Sequence, residues 1–520
     1  MLELKFRDFF DGDYQEFLDS NQGSVIVFET ESASPHFETG LEIALRFASS
    51  GWKTRFVYLG DSLFEAGSGW ESYSHWLQGR KKSFTWPEFS LRRLNRNPWL
   101  MTRAQGLASE KNWPLSMKNL PAENLRPENE QLPHFESLEA LKNWSLDGFP
   151  VGKHLASSAV SFSENSRFNV RDSSGYLDIL YSAYMRSKII AAEELTDTKY
   201  DFGVLFNGRF AESGGILASL KSAEVTPLFH ERGGLSSAQY FLGSCRPHDQ
   251  LAMGKNFAHR WATLDTETIS EKKASIASQL EEARCLGGLG PVTFHWNSSV
   301  AEKSVCEQYD VVYFPTSDDE LDSVADIDLG YDFPDQEHAV LAISEACASL
   351  GLSFAVRVHP HTEKKHSDDH SWWNEKLPEL LPRDRVVRSY EAISSYGLVD
   401  NAKVIVTLGS TITLEAIWAG KPVIVLGHTY YEYAGAEVIR PRNRPLVQVI
   451  KGAIGTIPRQ DSILPSMIGA HDFGEEFVFM KPFSKKAVEK REPLLWALEI
   501  FLRKVWRRIS AVLRLLSNRN

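Results

Sequence analysis

The chain has 520 residues, of which 42% are hydrophobic and 24% charged, a composition that excludes a disordered protein and predicts two or more folded domains. Its net charge of −11 is unevenly distributed, because ten Lys or Arg against three Glu give residues 485–520 a local +7. The remaining body therefore carries −18, which excludes nucleic acid as the main partner.

The ends and the cysteines of the chain indicate a cytoplasmic protein. The first residues mix acidic and apolar side chains, unlike a signal peptide, and no apolar run approaches the roughly 18 residues of a membrane-spanning helix. Four widely spaced cysteines, with no C-x-x-C pair, predict reduced thiols rather than a disulfide framework.

The first predicted domain, residues 1–265, begins with a βαβ unit. An apolar run from Ser24 to Phe28 predicts a strand, helical spacing of apolar residues up to Gly51 predicts a helix, and "TRFVYLGD" predicts the next strand. The loop between the first strand and the helix carries His36 and Glu38. Both are candidate general bases for an acceptor hydroxyl.

Residues 62–173 break this pattern with a stretch rich in Trp, Arg and Pro, which predicts an irregular insertion with short helices. A helix over 175–195 then precedes two strand patterns, which end in "FNGR" and "HERGG". These turns place Asn207, Arg209, Glu231 and Arg232 at the carboxyl ends of strands. The arginines suit phosphate or an acidic acceptor sugar and Glu231 is a third candidate base, while buried salt bridges are the alternative.

The second predicted domain, residues 266–480, repeats the alternation after a long helix at 267–286. The expected fold class is therefore α/β, with two doubly wound halves facing across a cleft. Ligands bind beyond the carboxyl ends of the strands in such sheets.

The strand in "YFPTSDDE" ends in Thr316, Ser317 and three acidic residues. A divalent cation on a diphosphate could bind such acids, but the two hydroxyls are an equally good interpretation as donors to a ligand. No metal requirement is expected.

"FAVRVHPH" predicts His359 as the last residue of its strand, because Pro360 has no N–H for the sheet. An imidazole there could neutralise or protonate a leaving phosphate, and Arg357 is a further candidate for the donor. The following loop, "HPHTEKKHSDDH", has no metal-binding spacing and is predicted to be a solvated loop.

"TLGSTITLEAIWAGKPVIVLG" predicts a strand, a tight turn, a short helix and another strand. Ser410 or Thr411 falls at the helix N-cap, where backbone N–H groups and a hydroxyl can bind a phosphate. Glu415 is not needed for capping and could accept hydrogen bonds from a ribose diol. An incidental surface glutamate is the alternative.

Residues 485–520 show an apolar helical stripe with Arg and Lys opposite. This pattern predicts a basic amphipathic helix on an anionic membrane surface, with docking on a partner or on the protein's own body as the alternative.

The chain resembles the capsule polysaccharide biosynthesis family of bacterial GT-B glycosyltransferases, which includes Kdo transferases. The resemblance lies in "YFPTSDDE", "RVHPH" and "GSTITLEAIWAGKPVIVLG", and more weakly in "FNGR" and "HERGG". The His-Pro and Ser-Thr pairs are also similar to the donor-phosphate motifs of bacterial sialyltransferases. By that resemblance His359 and Ser410 or Thr411 would contact the phosphate of a CMP-sugar, and Glu231 would stand where those enzymes carry their base.

The resemblance implies a nucleotide-sugar donor, a polysaccharide or lipid-linked acceptor and a place at the inner face of the cytoplasmic membrane, near other capsule assembly proteins. A CMP-sugar such as CMP-Kdo is favoured. The alternatives are a CDP-glycerol-type transferase, a sugar-nucleotide epimerase on the same fold and a non-catalytic assembly factor.

Overall fold

A computed structural model describes residues 23–31, 35–60, 76, 91–120, 132–233, 239–286, 308–316, 330–391, 393–471 and 474–482. Two sheets organise these residues, and each has a hydrophobic core on both faces. In the first sheet Val25 and Val27 pack into one core and the intervening Ile26 and Phe28 into another. A central parallel strand shows this continuous apolar run because both of its faces are buried.

The first sheet has seven strands in the order β12-β6-β5-β4-β1-β2-β3. Strands β1 to β5 are parallel, and β6 and β12 extend one edge antiparallel. Its strands are β1 (Ser24–Glu29), β2 (Lys53–Tyr58), β3 (Leu115–Asn119), β4 (Phe202–Phe206), β5 (Thr226–Arg232), β6 (Gln239–Gly243) and β12 (Glu475–Glu476).

The second sheet has five strands, all parallel, in the order β11-β10-β7-β8-β9. Its strands are β7 (Val311–Phe314), β8 (Phe354–Arg357), β9 (Arg385–Val387), β10 (Val404–Thr407) and β11 (Val423–Val425). Numbered within each domain, the parallel strands of both sheets run 3-2-1-4-5. This is the doubly wound order, with a switch point between the first and the fourth strand.

The first domain contributes helices α1 (His36–Ser49), α2 (Leu91–Glu110), α3 (Leu138–Lys142), α4 (Val151–Ser163), α5 (Ser174–Thr196), α6 (Ala211–Ser222) and α7 (Gln250–Thr263). The later helices are α8 (Thr266–Leu286), α9 (Gln336–Leu350), α10 (Ser367–Ser371), α11 (Leu377–Leu380), α12 (Ser395–Asn401), α13 (Ile412–Trp418), α14 (Tyr430–Tyr433), α15 (Leu446–Ala453) and α16 (Leu464–His471). Short 3₁₀ turns occupy Pro360–Lys364 and Gln460–Ile463, and a π turn occupies Trp372–Lys376.

The predicted α/β class and the doubly wound halves are confirmed. The βαβ unit at the start of the first domain forms as expected, and so does the strand, turn, helix and strand from Val404 to Val425. The predicted long helix after the first domain is α8.

The prediction of an irregular insertion over 62–173 is wrong for the described part of that segment. Residues 115–119 form β3, which pairs in parallel with β2, and α2 and α4 are regular helices of 20 and 13 residues. The sequence of β3, "LSMKN", has little apolar character because the strand lies at the sheet edge. An edge strand needs only one neighbour and leaves half of its residues less buried.

The predicted end of the second domain at residue 480 is also wrong, because the chain returns to the first sheet. β12 pairs with β6, and the carboxylate of Glu42, on α1, accepts hydrogen bonds from the backbone N–H groups of Val478, Phe479 and Met480 at 2.7–2.8 Å. Only the folded chain brings residues 475–480 beside a helix more than 400 positions away.

Residues 485–520, the predicted amphipathic tail, lie outside the described residues. None of the helices in the described ranges is long and apolar enough to cross a membrane. Cys245 and Cys347, the two cysteines with described side chains, form no disulfide.

Candidate functional site

At the carboxyl edge of the first sheet, a turn, a strand end and a helix start bring three predicted residues together. Asn207 follows β4 with a positive φ of 22°, and its Nδ2 donates to Glu231 Oε2 at 3.0 Å. His36 begins α1, and its Nδ1 lies 3.7 Å from Glu231 Oε1. Gly208, with φ 75°, completes the tight turn that aims Asn207 at Glu231.

The charges of this cluster favour a neutral imidazole beside an ionised carboxylate. Burial lowers the pKa of His36, and the nearby Glu231 offsets only part of that effect. Burial also acts to raise the pKa of Glu231, but His36, the Arg232 amide, His248 and Asn207 outweigh it, so the pKa lies below its ordinary value. Near neutral pH His36 can therefore accept a proton while Glu231 stays negative.

Two residues that the sequence analysis did not select lie behind this pair. His230 Nε2 and Glu29 Oε2 are 3.3 Å apart and both side chains are fully buried. An ideal Cβ on Gly40 would lie 2.4 Å from Glu29 Oε2, so a larger residue at this position would displace the buried Glu29 carboxylate. His230 directly precedes Glu231 in a strand, but only the pairing of β5 with β4, and of β4 with β1, brings it close to Glu29.

A third histidine, His248, was also not selected. Burial and the charge of Arg209 lower its pKa to about 4, so it is neutral near pH 7. Its electrostatic coupling to Glu231 places it in the same cluster. The loop "RPHDQ" carries no spacing pattern that would have indicated this.

The remaining first-domain candidates take different positions. The guanidinium of Arg209 stacks 4.4 Å from the ring of Phe210, and its backbone N–H donates to Asn207 Oδ1. Arg232 is exposed at the end of β5. The prediction that His36 and Glu38 lie in a loop is wrong, because both are in the first turn of α1, where Glu38 is fully buried.

In the second domain, Thr316 and Ser410 follow β7 and β10, the two strands that flank the switch point of the sheet. Gln336, at the start of α9, fixes Thr316 by accepting from its N–H at 3.0 Å and donating to its C=O at 2.8 Å. The buried Thr316 hydroxyl has no hydrogen-bond partner within the described residues. Ser317 lies outside the described residues.

The turn that carries Ser410 rests on a buried network of hydroxyl groups. Thr413 Oγ1 lies 2.9 Å from Thr407 Oγ1 and 3.2 Å from the hydroxyl of Tyr431, which also donates to the Ser410 C=O at 3.3 Å. Thr411 is the N-cap of α13, one of the two predicted positions, and its side chain makes no capping bond. The network contacts the buried side of the turn, and Thr411 on its other side is exposed.

Glu415 is 6% exposed, so it is not an incidental surface glutamate. Burial raises the pKa of its carboxyl to about 7, and the nearby Tyr396 hydroxyl and Arg284 guanidinium offset only part of that effect. Within the described ranges, Glu415 Oε2 has no hydrogen-bond partner. A buried oxygen without a partner is available to accept from a ligand hydroxyl.

The placement of His359 corrects the sequence analysis in one detail. β8 ends at Arg357, so His359 is not the last strand residue but lies two positions beyond it, where Pro360 starts a 3₁₀ turn. The shift arises because β9, the edge neighbour of β8, ends its pairing at Val387. Since β7 lies between β8 and β10, His359 and Ser410 follow strands that are two positions apart in the sheet, about 10 Å at the usual strand spacing.

Arg357 is only 1% exposed, and its guanidinium donates to the Arg388 C=O at 2.7 Å. Burial lowers the pKa of Arg357 to about 10. These contacts give it a packing role within the second domain.

The sequence analysis predicted a solvated loop after His359, and this prediction is wrong for part of the loop. Asp369 is 4% exposed and accepts two hydrogen bonds from Ser166 of the first domain. Among the described residues, no group of three or more His, Cys, Asp or Glu could hold a metal ion.

The two edges define a doubly wound two-domain protein with a hydroxyl-rich site on one sheet and a charged site on the other. Residues 313–440, about a quarter of the chain, match the model of the family described as capsule polysaccharide biosynthesis protein. This match begins within β7, contains β8 to β11, Thr316, His359, Ser410 and Glu415, and confirms the predicted resemblance over that range. No curated protein matches the chain.

Solved structures show looser likeness. A beta Kdo 2,7 transferase, KpsC from Thermosulfurimonas dismutans, is 14% identical over 48% of this chain and 75% of its own, with a TM-score of 0.28. A UDP-GlcNAc 2-epimerase from Methanocaldococcus jannaschii is 11% identical over 87% and 99%, with a TM-score of 0.29. A glycosyltransferase from Rickettsia africae is 8% identical over 92% and 99%, with a TM-score of 0.27.

Proposed function

We propose that this protein is a metal-independent glycosyltransferase that moves a sugar from a nucleotide-activated donor to a cell-surface polysaccharide or its lipid-linked primer. One observation carries the proposal. The segment that matches the capsule polysaccharide biosynthesis family forms the second sheet except for the start of β7, and Thr316 and Ser410 flank the switch point of that sheet, where doubly wound folds bind nucleotides.

The second domain would bind the donor. The hydroxyls of Thr316, Ser410 and Thr411 suit a phosphate, and the Oε2 of Glu415 suits a ribose hydroxyl. Ser317 is a further donor-site candidate. His359, at the neighbouring strand end, would neutralise or protonate the departing phosphate, which speeds the step in which the sugar leaves.

The first domain would bind and deprotonate the acceptor. His36 is neutral and has an ionised carboxylate 3.7 Å from one ring nitrogen, so it can take a proton from an acceptor hydroxyl and be stabilised as the imidazolium. Asn207 keeps Glu231 in place, and Arg209 and Arg232 lie beside the pair, where they could contact phosphate or an acidic sugar.

The resemblance in the family segment favours a CMP-sugar such as CMP-Kdo, with a CDP-linked donor as the alternative. Residues 485–520 would hold the protein at the cytoplasmic face of the inner membrane, where lipid-linked acceptors and other capsule assembly proteins would be reached.

Donor binding is tested by thermal-shift titration with CMP, CDP, UDP and GDP. A ligand that binds only the native state raises the melting temperature. We expect stabilisation by CMP that is lost in Ser410→Ala and kept in Ser349→Ala, a control on the exposed side of α9. Preference for UDP or GDP would remove the CMP-sugar assignment, and no shift with any of the four would contradict the donor site.

Transfer is tested by incubating the protein with CMP-Kdo, with and without a lipid-linked acceptor extract, and measuring CMP release. A transferase releases CMP at a high rate only when acceptor is present. Equal CMP release without acceptor would indicate a hydrolase instead, and conversion of the donor to an isomer without net CMP release would indicate an epimerase. Binding without any turnover would favour an assembly factor.

A further inference from the structure

The two domains contact each other at the loop that follows His359. Ser166, just after α4, donates from its N–H to Asp369 Oδ2 at 3.0 Å and from its hydroxyl to Asp369 Oδ1 at 2.7 Å. Asn165 Nδ2 donates to Asp368 Oδ2 at 3.2 Å, and the Arg167 guanidinium lies 4.5 Å from the ring of Trp372. We call these contacts, between residues 165–167 and residues 368–372, the latch.

The carboxylate at the centre of the latch is matched to its first-domain partners. Asp369 is 4% exposed, and a buried carboxylate is costly unless donors satisfy it. Ser166 supplies two donors, and Arg167 Nε lies 3.9 Å from Oδ1. If the domains separated, water would replace Ser166 as the hydrogen-bond donor to Asp369. The Asp369 carboxylate therefore has two possible states, bonded to the first domain or hydrated.

The latch is joined to His359 by a short and firmly held segment. The His359 C=O accepts from the Thr362 N–H at 3.0 Å, and Glu363, in the same 3₁₀ turn, accepts from the Ser389 hydroxyl at 2.9 Å. After Asp369, Trp372 and Trp373 are buried in the core of the second domain. A shift of Asp369 would therefore be transmitted to the turn that carries His359.

We propose that Asp369 is a positioning residue, which locks the His359 turn against the first domain when the cleft is closed. This inference rests on the proposed function, since it assigns the latch to the transfer reaction. Donor binding needs only the second domain, whereas transfer also needs His36 and Glu231 of the first domain. The latch therefore acts on the transfer step and leaves nucleotide affinity largely unchanged.

A double-mutant cycle tests the latch, with Asp369→Asn, Ser166→Ala and the two combined. The matched control is Asp384→Asn, which removes another carboxylate that accepts from a serine, Ser344, but within the second domain. Each latch variant is expected to lower kcat/KM for transfer about tenfold, as for the loss of a hydrogen bond to a charged group. The double variant should be little worse than either single one, the CMP dissociation constant should change less than about twofold, and Asp384→Asn should keep wild-type transfer.

Small-angle X-ray scattering gives a second measurement that does not depend on activity. Asp369→Asn and Ser166→Ala should increase the radius of gyration of the unliganded protein, whereas Asp384→Asn should not. Wild-type scattering, or additive effects in the cycle, would overturn the proposal, as would an equal loss of CMP affinity in the latch variants. If the proposed function fails because no nucleotide binds, the scattering result still decides whether the latch holds the domains together.

Discussion

The two sheets of this protein share one strand order but have different chemistry at their carboxyl edges. The first edge is charged and paired, with His36 and Glu231 at the surface of a buried Glu29–His230 pair. The second edge carries hydroxyls, with Thr316 and Ser410 on either side of the switch point and a buried network of threonine and tyrosine hydroxyls below.

The fold gives the two sites the same position in their sheets, and the side chains at each edge give each site its own chemistry. Strand order 3-2-1-4-5 opens a crevice at the same place in each sheet. A neutral imidazole beside an ionised carboxylate suits proton abstraction, whereas free hydroxyls and a helix start suit an oxyanion. Under the proposed function the two edges would be complementary halves of one transfer reaction, and the following experiments test that division.

The largest effect is expected from His36→Ala. Loss of a general base lowers turnover by about 10²- to 10⁴-fold, while the nucleotide-induced shift in melting temperature should stay at the wild-type value because His36 lies on the first sheet. His338→Ala, an exposed histidine on α9, is the control. If His36→Ala abolishes nucleotide binding too, the two edges are not separate sites.

His359→Ala should lower the transfer rate by about 10²-fold, because it removes the group placed to stabilise the departing phosphate. Its effect should depend on the leaving group, so a donor with a more acidic leaving group should be transferred with a smaller loss. An equal loss of transfer rate with both donors would indicate that His359 binds the donor and does not stabilise the leaving group.

Glu231→Gln sharpens the assignment within the first edge. The negative charge of Glu231 raises the pKa of His36 against the larger effect of burial, so removing the charge should lower that pKa further. If His36 is the base, the acid limb of the pH profile for kcat/KM lies below 6.5 in the wild type and moves to still lower pH in Glu231→Gln. Complete loss of transfer at every pH would make Glu231 the base.

The smallest effect is expected from Glu415→Gln, measured as stability rather than turnover. The pKa of Glu415 is raised to about 7, so the folded protein holds this proton more tightly than the unfolded chain does. Its contribution to stability is fully present below about 4.5 and is lost as the pH rises through about 7. Glutamine removes that loss, so the variant should be more stable than wild type at pH 8, by up to about 3 kcal/mol, and nearly equal at pH 4.5.

Thermal or urea unfolding at the two pH values measures this difference. An equal effect of Glu415→Gln at pH 4.5 and pH 8 would contradict a raised pKa. In the same variant CMP should bind more weakly, because glutamine offers one acceptor where the carboxylate offers two.

The sequence was sufficient for those elements whose pattern is local. Continuous apolar runs predicted β1, β4, β7 and β10, since central parallel strands are buried on both faces. Polar residues directly after those runs predicted the sites of Asn207, Thr316 and Ser410, because the strand ends of a parallel sheet meet at one edge. A glycine followed by two hydroxyl residues predicted the turn before α13.

Features that depend on contacts between residues far apart in the sequence could be seen only in the tertiary structure. The apolar alternation of β3 is confined to Leu115 and Met117, which is too short to indicate a strand, and the pairing of β12 with β6 has no local signal. The polar loop after His359 looked solvated because burial of Asp369 requires Ser166, which lies 203 positions away. The pairing of His36 with Glu231 likewise joins residues 195 positions apart, so their pKa values are properties of the fold and not of either sequence motif.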